Sequence, residues 1–202
     1  MSVQLQARYT ADDLEALRQQ YADQAFELHE GEIALMSPTN ALSSLIAMRL
    51  GALLLAFVEA HDLGYVTGAD GTFALDPQTV YVPDVAFIRK ARLSALPERY
   101  FPFAPDVAVE VLSPSDSVRQ AQRKALRYLK AGTALVWLIY PAEKAADACR
   151  LAPEGSLNLQ PIEADGAFEG GEVLNGFRLS MAELFRALPP SQACDTVKPS
   201  EA

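Results

Sequence analysis

A chain of 202 residues, half of them hydrophobic, is long enough to bury a full core and is expected to form one domain. Its net charge of -9 argues against a protein that binds nucleic acid mainly through overall electrostatic attraction, and its two cysteines, Cys149 and Cys194, have neither metal-ligand nor disulfide spacing, which suits a reducing cytosol. No basic N-terminal region leads into an apolar one, and the apolar stretch from Leu42 to Val58 is broken by Ser43, Ser44, Arg49 and Gly51, so a cytoplasmic protein without a membrane span is expected.

Tyr9 to Glu15 reads as a capped helix start, with Thr10 as N-cap and Asp13 at the third helical position, and the helix continues to about Tyr21. Phe26-Glu27-Leu28 and the run from Gly31 to Met36 pair as a hairpin turned by His29-Glu30-Gly31. Ser37-Pro38-Thr39 punctuates the chain before a core helix from about Asn40 to Ala60. That helix carries Leu42, Leu45, Ile46, Leu50, Leu53, Leu54 and Phe57 at three- and four-residue spacings. Tyr65-Val66-Thr67 then turns at Gly68-Ala69-Asp70-Gly71 and returns through Thr72 to Leu75. Asp70 and Asp76 are turn formers, and no phosphate-binding glycine loop is present.

Two strand-like runs follow, each with one misplaced acid. Asp84 interrupts the apolar run from Tyr81 to Ile88. In Asp106 to Leu112, period-two alternation puts Val107, Val109 and Val111 on one face and Asp106, Ala108, Glu110 and Leu112 on the other. A carboxylate amid apolar strand residues costs several kcal/mol to desolvate unless a cation, a proton or hydrogen-bond donors compensate it. Two such positions suggest a shared divalent cation. Between the runs, Arg89, Lys90, Arg92 and Arg99 lie in a polar excursion of a kind that often contacts substrate.

Ser115, Asp116 or Ser117 caps a helix reaching about Leu129 and closed by Gly132. At about 100° per residue, Val118, Ala121, Ala125 and Leu129 form its buried face, and Arg119, Arg123, Arg127 and Lys130 a basic stripe opposite. Lys124 belongs to neither face. Ala134 to Tyr140 is a continuous apolar run, as expected of a central strand covered on both sides and joined to the Glu110 strand by a β-α-β crossover. Short strand-like pieces at Ser156 to Leu159, Phe168 and Glu172 to Leu174 precede a last helix capped at Ser180. Residues 1–188 make up the expected domain, and 189–202 read as a disordered tail. With only His29 and His61 present, a histidine-metal nuclease or a histidine triad has almost no raw material.

Asp84 in Val82-Pro83-Asp84-Val85, Glu110 in Val109-Glu110-Val111-Leu112-Ser113-Pro114, Lys124 ahead of Tyr128 and Gly132, and the strand Val136-Trp137-Leu138-Ile139-Tyr140-Pro141 together resemble the signature of the Uma-two family of restriction-endonuclease-like proteins. The resemblance runs from about Tyr9 to Phe185. It implies an α/β (α+β) fold of the PD-(D/E)XK nuclease type, with a mixed central sheet flanked by helices and an added N-terminal helix and β-hairpin. It also implies Asp84 and Glu110 as ligands of Mg2+ or Mn2+, with the Val111 carbonyl as an extra ligand. Lys124 would act on the attacking water, having moved from its usual place two residues after the second acid, here Leu112. DNA is the implied substrate, and a homodimer suits a small nuclease that must cut two strands. Glu27 and Glu32 are outside candidates for a third site carboxylate. The family's usual histidine falls at Ser43, where this chain departs. Without the resemblance, the trio also reads as a buried ion-pair network in a catalytically silent module that binds DNA or a protein partner.

Overall fold

The computed structural model describes residues 8–21, 24–36 and 40–188; the expected tail from Pro189 and the punctuation at Ser37-Pro38-Thr39 lie outside them. A single turn of 3-10 helix at Ala11–Asp13 leads into α1 (Leu14–Gln20), and the Asp13 carboxylate accepts from the Thr10 backbone N–H at 2.8 Å and the Thr10 hydroxyl at 2.9 Å. Strands β1 (Phe26–His29) and β2 (Glu32–Leu35) form the hairpin. Its turn places Glu30 and Gly31 at φ 55° and 85°, the paired left-handed geometry that matches strand twist in a two-residue hairpin.

Asn40 caps α2 (Ala41–Ala60) by accepting the Ser43 backbone N–H. Ile46, Leu50, Leu54 and Val58, four residues apart, are fully buried, whereas Leu45, expected in the core, is 51% exposed on the opposite side. By length and a mean hydropathy of 2.0, α2 meets the bare requirement for crossing a membrane, contrary to the expectation that its polar interruptions exclude this. Here its Ile46-to-Val58 face packs on the sheet. Leu54→Ala is expected to cost about 2–5 kcal/mol, the usual price of a cavity at a fully buried leucine, as a lowered urea midpoint at unchanged slope.

The remaining strands are β3 (Gly64–Thr67), β4 (Phe73–Asp76), β5 (Thr79–Tyr81), β6 (Val85–Arg89), β7 (Val107–Val111), β8 (Leu135–Tyr140), β9 (Ala145–Leu151), β10 (Leu157–Ile162), β11 (Ala167–Glu169) and β12 (Arg178–Ser180), with α3 (Val118–Lys130) between β7 and β8 and α4 (Met181–Leu184) last. The main sheet has the order β10-β9-β8-β7-β6-β3 and is antiparallel except for the β7–β8 pair that α3 connects. A second sheet, β2-β1-β5-β4, carries the hairpin, and β11 pairs with β12. Alternation along β7 sorts the core as expected. Val107, Val109 and Val111 face α2 with Trp137 and Ile139, while Ala108 and Leu112 face α3 with Ala125, Tyr128, Leu129 and Leu138.

Four expectations change. Pro83 has no N–H to donate, and the run from Tyr81 to Ile88 is two strands with a break at Val82-Pro83-Asp84, so Asp84 sits at the entrance to β6 rather than inside it. Val118 lies in the first turn of α3 and is 46% exposed; Tyr128 takes the buried place instead. Glu172 to Leu174 lie in turns. β9, rich in alanine and unanticipated, pairs with β8 over five residues and with β10 over six.

Candidate active site

Antiparallel pairing of β6 with β7 sets Val85 opposite Val109 and so brings Asp84, just before β6, beside the C-terminal end of β7. The Val111 backbone N–H donates to Asp84 Oδ2 at 2.7 Å, so Val111, whose carbonyl belongs to the expected ligand set, already positions Asp84 through its amide. Glu110 points to the α3 side of the sheet, where Lys124 Nζ lies 2.9 Å from its carboxylate and the Tyr128 hydroxyl donates to Oε1 at 3.1 Å. Lys124 and Tyr128 are one helical turn apart on α3, which is why both reach the same carboxylate.

The hairpin closes the other side. Lys124 Nζ lies 2.7 Å from Glu27 Oε1, which also accepts the Val82 N–H at 2.8 Å, and Glu27 Oε2 lies 2.9 Å from His29 Nε2. Three partners thus occupy the Glu27 carboxylate, which makes it the anchor of Lys124. One turn along α3, Arg127 pairs with Glu30 at 2.7 Å and donates to the Tyr81 hydroxyl at 3.4 Å. Tyr81 and Tyr128 flank the ammonium, their ring centres 5.3 and 6.0 Å from Nζ. The expected trio is therefore together, with Glu27 added. Glu32 lines the cleft mouth but bonds to none of them.

These groups line a cleft of about 730 Å³ between the hairpin, the ends of β6 and β7, and α3. Of the basic stripe, Arg123 and Arg127 reach it, whereas Arg119 and Lys130 are exposed elsewhere. The cations of the 89–99 excursion do not. Arg89 closes β6 at the end remote from Asp84, a strand length of roughly 17 Å away. Buried Asp106 accepts its backbone N–H at 2.9 Å and pairs with Arg92 at 3.2 Å, and Lys90 pairs with Asp62 at 2.6 Å. Ser43 is fully buried, its hydroxyl donating to the Leu112 carbonyl at 3.1 Å, so that position supports the strand carrying Glu110.

Charge is unevenly balanced here. Burial pushes the Glu110 carboxyl up to about 8; Glu27 and Asp84 add to the effect and Lys124 only partly offsets it. Burial also raises Asp84, against the Val111 amide and Lys124. Burial acts the same way on Glu27, but Lys124, His29 and the Val82 N–H outweigh it and hold that carboxyl below its ordinary range. For Lys124, burial favours the neutral amine, yet Glu110 and Glu27 reverse this and raise its pKa, fixing it as an ammonium. Three carboxyl groups face one ammonium, a set of hard oxygen donors that fits a divalent cation whose binding would displace the proton of Glu110. The side chains are turned to one another, and among the described residues no group of three or more His, Cys, Asp or Glu is disposed as a ready metal cage.

A mixed sheet whose parallel pair is bridged by a helix, with two acids at adjoining strand ends and a lysine on that helix, defines the restriction-endonuclease-like class of fold. The chain belongs to the Uma2 family: the family model, described as "putative restriction endonuclease", matches residues 11–182. It is similar to the crystal structure of a "putative nuclease belonging to DUF820" from Anabaena variabilis ATCC 29413, with a TM-score of 0.69 and 24% identity over 81% of this chain and 90% of that one, a likeness that establishes the fold. None of the curated proteins matches.

Proposed function

We propose that the protein is a divalent-metal-dependent endonuclease that hydrolyses DNA phosphodiester bonds in this cleft. The observation that carries the reading is Lys124 held as an ammonium between Glu110 and Glu27 beside Asp84, at the floor of a cleft edged by Arg123 and Arg127. Asp84 and Glu110 would hold Mg2+ or Mn2+, which when bound supplies charge neutralisation at the phosphoryl oxygens and activation of water. Tyr128 and the Val111 amide orient those two carboxylates. A lysine held charged cannot accept a proton, so Lys124 works by orienting the attacking water and stabilising the charge that develops on phosphorus. Arg123 and Arg127 meet flanking phosphates, which supplies locally what the acidic chain lacks overall. Cutting both strands calls for a second copy of the chain, and the buried Cys149, its thiol pushed up to about 12 by burial, suits a cytoplasmic setting in which it stays inert.

A second reading is favoured by the closed Lys124–Glu110–Glu27 network: a silent nuclease-fold module that binds DNA or a protein partner through α3, the network serving only to join hairpin to helix. Nicking of supercoiled and single-stranded DNA in Mg2+ or Mn2+ separates the two. The endonuclease reading expects cleavage by the wild type that a chelator stops and that Asp84→Ala lowers at least about 100-fold while DNA binding persists. Cleavage surviving Asp84→Ala would remove the site from the reaction. No cleavage, with no metal-dependent shift in melting temperature, would leave the silent module.

A further inference from the structure

Alternation along β1 sends Leu28, fully buried, toward Leu14, Leu17 and Val80, and sends Glu27 and His29 together to the cleft side. His29 is 36% exposed there, with its ring 4.7 Å from that of Tyr81. Its Nε2 lies 2.9 Å from the Glu27 carboxylate, while its Nδ1 has no partner among the described residues. A carboxylate held ionised accepts an N–H, so Nε2 carries a hydrogen directed at Glu27, and Nδ1 is the nitrogen available to a ligand. Because Glu27 also touches Lys124 at 2.7 Å, one side chain holds both His29 and Lys124 at the lining of the same cleft.

The two hydrogen-bond lengths and the width of a carboxylate keep His29 Nε2 within about 8 Å of Lys124 Nζ, and Nδ1, the nitrogen free to donate, lies across the same ring, roughly 2 Å from Nε2. In-line displacement sets attacking and leaving oxygens on opposite sides of phosphorus, and groups serving one and the other stand roughly 6–9 Å apart. We propose that His29, in the form protonated on both ring nitrogens, donates from Nδ1 the proton taken up by the leaving oxygen, with Glu27, which holds the Nε2–H, as its positioning residue; this rests on the endonuclease reading of the cleft. The water oxygen bonds to phosphorus as the phosphorus–oxygen ester bond breaks. The electron pair of that bond goes to the leaving oxygen, which takes the proton from His29 Nδ1. The attacking water releases its own proton to solvent through the cleft. Nε2–H stays with Glu27, and Nδ1 regains a proton from solvent at the exposed edge of the ring. The charged or titratable groups facing His29 are Glu27 on β1, Glu32 across the hairpin, and Tyr81 on β5 with its partner Arg127 on α3.

The test compares ordinary DNA with a substrate carrying sulfur in place of the leaving oxygen, at the 3′ or 5′ side according to which end the products bear. A thiolate leaves without protonation. For His29→Gln and His29→Ala, cleavage of the oxygen substrate is expected to fall about 100-fold, while cleavage of the sulfur substrate stays within about 3-fold of wild type. The ratio of the two rates does not depend on how much of a variant is folded. Equal slowing of both substrates, or no slowing of either, overturns the proposal and leaves the endonuclease reading standing. No cleavage of either substrate by the wild type removes that reading and this proposal with it.

Discussion

Lys124→Met is expected to destabilise the fold by about 3–5 kcal/mol at neutral pH, the usual cost of removing one partner from a buried ion pair. Methionine approximates the length of the lysine stem, so little packing is lost. What is lost is the ammonium that pairs with the buried Glu27 carboxylate and bonds to the Glu110 carboxyl group. Denaturant titration at pH 7 and pH 5 is the measurement. The deficit should shrink at pH 5, where the orphaned Glu27 carboxylate more readily takes up a proton, and most of it should return to normal in a variant that also carries Glu27→Gln. A loss under about 1 kcal/mol at pH 7 would mean that water reaches this cluster freely.

Stability should also fall as pH rises across a range where most proteins are indifferent. Folded Glu110 keeps its proton to about pH 8, whereas an unfolded glutamate releases it near 4.5. Between these values the folded state binds more protons than the unfolded one, so its stability declines with rising pH and levels off above about 8. One pKa unit corresponds to about 1.4 kcal/mol, which makes the decline a matter of a few kcal/mol. Glu27 works in the opposite sense: its lowered pKa contributes stability that is present above the ordinary glutamate range and is lost on acidification through its folded value. The maximum should therefore fall on the mildly acidic side. Glu110→Gln should flatten the decline toward pH 8, as read from melting temperature against pH. If Glu110 holds the cation, Mg2+ should stabilise the wild type increasingly as pH approaches 8 and should not stabilise Glu110→Gln; a pH-independent shift in both would place the metal elsewhere.

The sequence exposed those parts of the site that obey a period. Alternation along β7 put Glu110 on the α3 side, and the helical angle set Lys124 apart from both faces of α3. The apolar run from Leu135 to Tyr140 was recognisable as a central strand because both its sides are covered. Glu27 was weaker, since an acid in a hairpin is usually solvated and only the meeting of β1 with α3 shows otherwise. His29 carried no periodic signal beyond its place two residues after Glu27. The proline break before β6 was readable in principle, because Pro83 cannot donate to a ladder, but its apolar neighbours masked it. β9 escaped because Ala145, Ala146 and Ala148 have little intrinsic strand preference; their place is decided by the partners on either side. The fixed charge of Lys124 was out of reach for a similar reason, as it depends on two carboxylates distant in the chain.

Glu27 and Lys124 stand about 100 residues apart in the chain. A ribosome adding roughly 5–20 residues per second makes the hairpin's acid many seconds before the lysine that will hold it. Through that interval the nascent chain has β1 and β2 but neither the wall that α3 provides nor the cation that brings Glu27 and Glu110 to one point. A product cut short before α3 lacks Lys124 and with it the whole cluster, so the cleft exists only in chains extended past α3.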